Sequence, residues 1–235
     1  MARRAGSGCH PAVIHAASPN HDARPEGTAI DMLILHYTGM TSGAAALQRL
    51  RDPQAGVSAH YLVEEDGRVF SLVDEARRAW HAGVSHWRGA SGLNGRSIGI
   101  EVVNPGHEHG YRPFPLLQMV AVAELCLGVI ARHGIPSCNV VAHSDVAPDR
   151  KQDPGELFDW EGLAGQGVGL WPAEVAVPAS PDAVPGLLRR IGYRDDLPQD
   201  VLLRAFQRHW RPERVDGLAD EETRGLLRAV AAAAD

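Results

Sequence analysis

The chain reads as an α/β protein, a mixed central β-sheet flanked by helices, followed by a small three-helix C-terminal domain. Three observations predict this. Met32-Leu33-Ile34-Leu35-His36-Tyr37 is a near-continuous apolar run that stops at Gly39, the pattern of a central strand covered on both faces. Residues 115–133 form one long helical stretch with Gly134 placed as its C-terminal stop. Beyond residue 183 the apolar spacing is helical throughout.

Residues 1–29 are rich in Gly, Pro, His and Ala without periodicity and are expected to form an N-terminal arm, with structure beginning near Asp31. Ser42 is placed to cap a short helix over Ala44 to Leu50, which Asp52-Pro53 ends. His60–Val63 and Val69–Val73 flank Glu65-Asp66-Gly67, a hairpin signal in which Asp-Gly supplies the turn. In Ser97–Val103 the apolar Ile98, Ile100 and Val102 share one face, which turns Glu101 to the other face beside Gly99. The 115–133 helix carries Leu116, Val120, Ala123, Leu127 and Ile130 on one face, and Asn139–His143 is a short buried strand. Gly, Pro, Ala and Val crowd together between Gly162 and Pro185 without a period, which reads as a linker. Helices are predicted over 183–192, 199–210 and 220–232, the last capped by Asp220. The expected domains are therefore 30–172 and 184–235, joined through 173–183.

A net charge of -6 and the lack of any long basic run argue against a nucleic-acid partner, since binders of phosphate backbones concentrate positive charge. Cys9, Cys126 and Cys138 cannot all pair and have no close spacing, so neither a disulfide framework nor a cysteine metal site is expected. The twin arginine Arg3-Arg4 runs into His10 and Pro11 without an apolar core, so no signal peptide is expected and Cys9 is not read as a lipid anchor. No apolar stretch approaches the roughly 20 residues of a membrane helix. These readings favour the cytoplasm, with the periplasm as the alternative, and leave the oligomeric state open.

Chemistry concentrates in three segments. His36 and His143 each fall at a predicted strand end, and Asp153 follows His143 by ten residues in a loop stiffened by Pro148 and Pro154. Two imidazoles and one carboxylate suit a catalytic zinc site, because three protein ligands leave a fourth position for water.

A wider pattern runs through Ser18-Pro19-Asn20, Asp22, Arg24-Pro25, Leu35-His36-Tyr37-Thr38, Ser58-Ala59-His60-Tyr61, Trp80-His81-Ala82-Gly83, Ile98-Gly99-Ile100-Glu101 and His143-Ser144-Asp145 through Lys151-Gln152-Asp153-Pro154-Gly155. It resembles the family 2 N-acetylmuramoyl-L-alanine amidases, the AmpD and AmiD type, related in fold to the peptidoglycan-recognition proteins. The resemblance covers about residues 18–172. It implies one Zn2+ per chain on His36, His143 and Asp153, and a catalytic pair of Glu101 and Lys151. It also implies hydrolysis of the amide between the lactyl group of N-acetylmuramic acid and L-alanine, in peptidoglycan or muropeptides. The family loop commonly reads Ala-Pro-Gly-Arg-Lys; here Asp149 stands in place of its glycine. Trp80, His81, Asn104 and Arg150 are candidates for contacting sugar or stem peptide. Residues 184–232 resemble the three-helix peptidoglycan-binding domain attached to such amidases, the alternative being a helical appendage packed on the catalytic domain. Two rival functions are a recognition protein that binds muropeptides without cutting and a zinc hydrolase of a different amide.

Overall fold

The computed structural model describes residues 13–234. The N-terminal residues 1–12, including Cys9 and the twin arginine, lie outside them, so the expectations placed there are not addressed by the structure.

The chain begins with two short strands, β1 (Val13–His15) and β2 (His21–Ala23), within the stretch expected to be an arm. Three-residue strands with no alternation leave little trace in sequence. What fixes this segment is polar: Ser18 Oγ donates to the Leu50 carbonyl at 2.5 Å, and Asn20 Nδ2 donates to the carbonyls of Asp52 and Val57 at 2.8 Å each. The Arg24 guanidinium donates to the carbonyls of Glu75, Asn94, Gly95 and Ser97.

Strand β3 (Met32–Tyr37) follows, then α1 (Gly43–Arg51), whose Ser42 cap accepts from the Ala45 amide. The hairpin is β4 (Tyr61–Val63) and β5 (Val69–Ser71), antiparallel around Gly67 at φ 86°. Three short strands, β6 (Arg77–Ala79), β7 (His86–Trp87) and β8 (Ala90–Ser91), and the longer β9 (Ser97–Val102) lead to α2 (Leu116–His133), which Gly134 ends at φ 65°. Strand β10 (Val140–Ala142) runs directly into the single-turn α3 (His143–Val146), and α4 (Trp160–Gly165) occupies the start of the expected linker. Helices α5 (Val184–Ile191), α6 (Gln199–Trp210) and α7 (Glu221–Ala233) complete the chain, with Asp220 capping α7 through the Thr223 amide.

The main sheet has the order β1-β5-β4-β9-β3-β10. Only β4 and β5 pair antiparallel within it; β9, β3 and β10 run parallel, so their C-terminal ends lie together. Alternation along these strands makes two different faces. Leu33 and Leu35, Ile98 and Ile100, and Val140 and Ala142 form one apolar core with α2 and α4. Met32, Ile34 and Val141 face the other way, into a second core built with Trp87 and with Leu188, Leu203, Phe206 and Leu227 of the C-terminal helices. Those helices therefore form the second outer layer over the sheet, each fully buried aliphatic side chain contributing about 1.5–3 kcal/mol of burial.

Helix α2 departs from expectation in which side it buries. Leu116, Val120 and Leu127 of the expected face are exposed, whereas Ala121, Val122, Cys126 and Val129 lie on the sheet. The helix is apolar almost all round, so periodicity does not select a side; the small residues let its axis approach the strands closely. At 18 residues and mean hydropathy 1.5 it also meets the length and composition of a membrane span, which the sequence reading did not anticipate. In the fold, Gln118 anchors it to the sheet by donating to the Val63 and Val103 carbonyls at 3.1 and 2.8 Å.

Candidate active site

The second face of the sheet turns from apolar to polar toward the strand ends. On β3 the series Met32, Ile34 continues to His36; on β9 the same face carries Ser97, Gly99 and Glu101, with His36 and Glu101 paired side by side in register. His143 enters from the start of α3, next to β3 across β10, and Asp153 is brought in by the following loop, where the Ser144 amide donates to the Asp153 carbonyl at 2.9 Å.

His36 Nδ1 lies 2.9 Å from His143 Nδ1 and 3.1 Å from Asp153 Oδ2, and His143 Nδ1 lies 2.9 Å from the same oxygen. All three side chains are buried. Among the described residues this is the one cluster of three or more His, Cys, Asp or Glu side chains whose donor atoms converge closely enough to hold a metal ion.

The hydrogen bonds behind the cluster assign its protons. His143 Nε2 faces the Ala82 carbonyl at 3.2 Å, which can only accept, so Nε2 carries the hydrogen and Nδ1 is bare. For His36 the assignment takes three steps. Ser97 Oγ donates to the Leu93 carbonyl, so it accepts from His81 Nε2 at 3.2 Å; His81 Nδ1 then accepts from His36 Nε2 at 3.0 Å. His36 Nδ1 is thereby left bare as well. Two bare nitrogens and a carboxylate oxygen within about 3 Å of each other need a positive charge among them. Burial, with the neighbouring His143, depresses His36 to about 4, which disfavours a proton as that charge. Burial opposes ionisation of Asp153, but the two histidines outweigh it and hold its pKa well below the carboxylate range. The donor set fits a divalent cation, and two imidazoles with one carboxylate is a zinc-type set.

Glu101 stands beside the cluster with a different environment. Its Oε2 is buried and has no hydrogen-bond partner among the described residues. Burial, then the Asp153 charge, push its carboxyl well above the ordinary range, against the pull of Lys151. Glu101, Lys151, His143 and Asp153 line a cleft of about 520 Å³, together with Tyr37, Trp80, His81 and Arg150. Cavities of about 500 and 450 Å³ elsewhere contain no converging ligand set among the described residues.

The weaker sequence candidates separate here. Trp80 and Arg150 stand in the cleft wall, and Arg150 donates to the Val84 carbonyl. His81 also lines the cleft, but its two nitrogens are engaged by His36 and Ser97. A Cβ at Gly99 would lie 2.4 Å from the His81 ring, so the glycine makes the space that the ring occupies. Asn104 is not brought to the cleft wall: Nδ2 donates to the Arg112 carbonyl and Oδ1 accepts from the Gly106 amide, so its amide holds a loop. Asp149 adopts no left-handed backbone conformation, so the glycine of the family loop is not needed for its φ. Sequence reasoning missed His107 and Tyr111, stacked at 4.3 Å; His107 lines the cleft beside Tyr37, whose hydroxyl lies 3.0 Å from His107 Nδ1. Only the loop's histidines hinted at this.

Comparison with known proteins agrees with the geometry. The family model described as N-acetylmuramoyl-L-alanine amidase matches residues 26–156. N-acetylmuramoyl-L-alanine amidase AmiD of Escherichia coli K12 is 40% identical over 229 residues, 86% of this chain and 82% of its own length. Its solved complex with anhydro-N-acetylmuramic acid-L-Ala-D-gamma-Glu-L-Lys superposes with a TM-score of 0.77 at 38% identity, covering 88% of this chain and 91% of that one. The 1,6-anhydro-N-acetylmuramyl-L-alanine amidase AmpD of Enterobacter cloacae is 35% identical over 163 residues, 62% of this chain and 85% of its own. With that match spanning more than half of its length, and with the polar strand ends it encloses, the chain belongs to the family 2 N-acetylmuramoyl-L-alanine amidases.

Proposed function

We propose that this chain is a zinc-dependent amidase that cleaves the bond between the lactyl carbonyl of N-acetylmuramic acid and L-alanine, with soluble anhydromuropeptides as its substrate class. The observation that carries the reading is the convergence of His36, His143 and Asp153 beside a buried carboxyl with a free oxygen. Binding alone would not require all five of His36, His143, Asp153, Glu101 and Lys151. We assign the chemistry to residues 30–172, with the helices of 184–235 as a second unit.

His36, His143 and Asp153 would hold the zinc, which when bound would supply Lewis acidity toward the scissile carbonyl and an acidified water near neutral pH. Glu101 takes one proton from the attacking water as its oxygen adds to the lactyl carbon. It then hands that proton to the alanine nitrogen as the C–N bond breaks, leaving a carboxylic acid and a free amine. Lys151 lines the same cleft, and we assign its ammonium to offset the negative charge that grows on the carbonyl oxygen. Trp80 offers a flat face for a sugar or methyl group, and Arg150 a cation for stem-peptide carboxylates.

The test is mass spectrometry of a defined anhydromuropeptide after incubation with metal-stripped and zinc-reloaded protein. Zinc-dependent release of the stem peptide with a free L-alanine amine is expected. Cleavage at any other bond, or none with full zinc loading, removes the reading. A parallel digest of intact sacculi distinguishes polymer from soluble fragments. Fractionation of cells decides between the expected cytoplasmic location and the periplasm.

A further inference from the structure

The buried carboxylate of Asp145 connects the C-terminal helices to the ligand-bearing segment. Asp145 lies in α3, two residues after His143, and is fully buried. Its Oδ2 accepts from the Ala142 amide at 2.8 Å, closing the turn in which β10 becomes α3 and His143 is presented. The other bonds to this carboxylate come from the C-terminal helices. The Tyr193 hydroxyl, just past α5, donates to Oδ1 at 2.6 Å, and His209 Nδ1 of α6 donates to Oδ2 at 2.6 Å.

Both donors are themselves held. Tyr193 packs edge-on against Trp87 at 5.2 Å, and the His209 ring is stacked on Trp160 at 3.9 Å and on Trp210 at 3.7 Å. A carboxylate at this depth is held in place by its hydrogen-bond donors, and two of the three that Asp145 has come from these helices. Helix α6 is linked to the cleft wall by a second route: Arg208 lies 3.6 Å from Glu156, which meets the cleft-lining His107 at 3.2 Å.

We infer that Tyr193 and His209 are positioning residues for the metal centre, so that the C-terminal helices set the placement of His143 through Asp145 and are part of the catalytic apparatus. The inference rests on the proposed metal site. It assigns these helices a role that needs no contact with wall polymer, and it explains why a helical layer covering the sheet carries two buried polar side chains at one point.

The experiment uses the full chain and measures zinc affinity by chelator competition, alongside the unfolding temperature of the metal-free protein. Tyr193→Phe keeps the ring and removes only the hydroxyl; His209→Leu removes the other donor, and His209→Asn restores an N–H near the Nδ1 position. Losing a partner of this kind is expected to weaken zinc binding by about 10-fold or more, with His209→Asn recovering most of the loss. Leu227→Ala, in the same core but away from Asp145, serves as control: it lowers the unfolding temperature without moving zinc affinity. Wild-type zinc affinity in folded Tyr193→Phe and His209→Leu overturns the inference and leaves the metal site standing. A wild-type chain that takes up no zinc sinks the metal site itself, and the inference with it.

Discussion

The two faces of strands β3 and β9 are made from alternate residues of the same segments, yet they are built on opposite rules. Under α2, Leu33, Leu35, Ile98 and Ile100 fill space with aliphatic groups that any side chain of similar volume and shape could replace. On the reverse, His36, His81 and Ser97 form a chain in which each group has one permitted partner and one permitted proton position. Glu101, in register with His36, keeps a bare oxygen. On the proposed assignment, the difference teaches that metal ligands are fixed from behind, whereas the carboxyl assigned to carry the proton keeps an unattached oxygen.

That contrast can be broken from either side. The largest effect is expected from His36→Ala, which removes a ligand: stoichiometric zinc and all turnover should be lost while circular dichroism stays native, and a variant that still turns over ends the assignment. Glu101→Gln should keep its zinc and lower turnover by roughly 10²–10⁴-fold; equal rates for variant and parent would show that its free oxygen has no chemical role. Ile100→Ala probes the other face. A loss of about 2–5 kcal/mol in denaturant stability is expected, with zinc bound per folded molecule unchanged. His81→Phe should leave turnover at saturating zinc nearly intact but weaken zinc binding by about 10–100-fold, detectable by competition with a chelator. The smallest effect concerns pH. Burial depresses His36 to about 4 and, with Arg24, His60 to about 3, from an ordinary value near 6.5. The fold therefore favours both neutral, and their stabilisation is complete above about pH 6.5 and is lost as pH falls toward 4 and then 3. Urea midpoints of the metal-free chain should decline across that window, and His36→Asn should flatten its upper part.

Much of this was legible in the sequence where local chemistry decides the outcome. Gly67 and Gly134 sit at the turn and helix end assigned to them, Ser42 and Asp220 cap their helices, and the C-terminal helices fall within one residue of the predicted spans. The buried side of α2 was not legible, because a helix apolar on every side offers the sheet several alternatives and packing chooses among them. Strands β1 and β2 were hidden for a related reason: their order comes from side chains such as Asn20 and Arg24 bonding to backbone carbonyls 32 to 73 residues away. At the site, His36, His143, Asp153 and Glu101 could be named from motifs, but the use of His81 could not. Its part is defined by which atom faces which, and spacing along the chain carries no record of that.

The space beneath the His81 ring has a consequence for how such enzymes are counted. An inspection for activity that looks only at the groups that do chemistry leaves such a position out. A chain with all five intact but a methyl in place of the hydrogen at Gly99 would pass every such inspection. It would nonetheless push the His81 ring away from His36 Nε2 and hold its metal more weakly, through one carbon atom at a place that no signature of reactive groups includes.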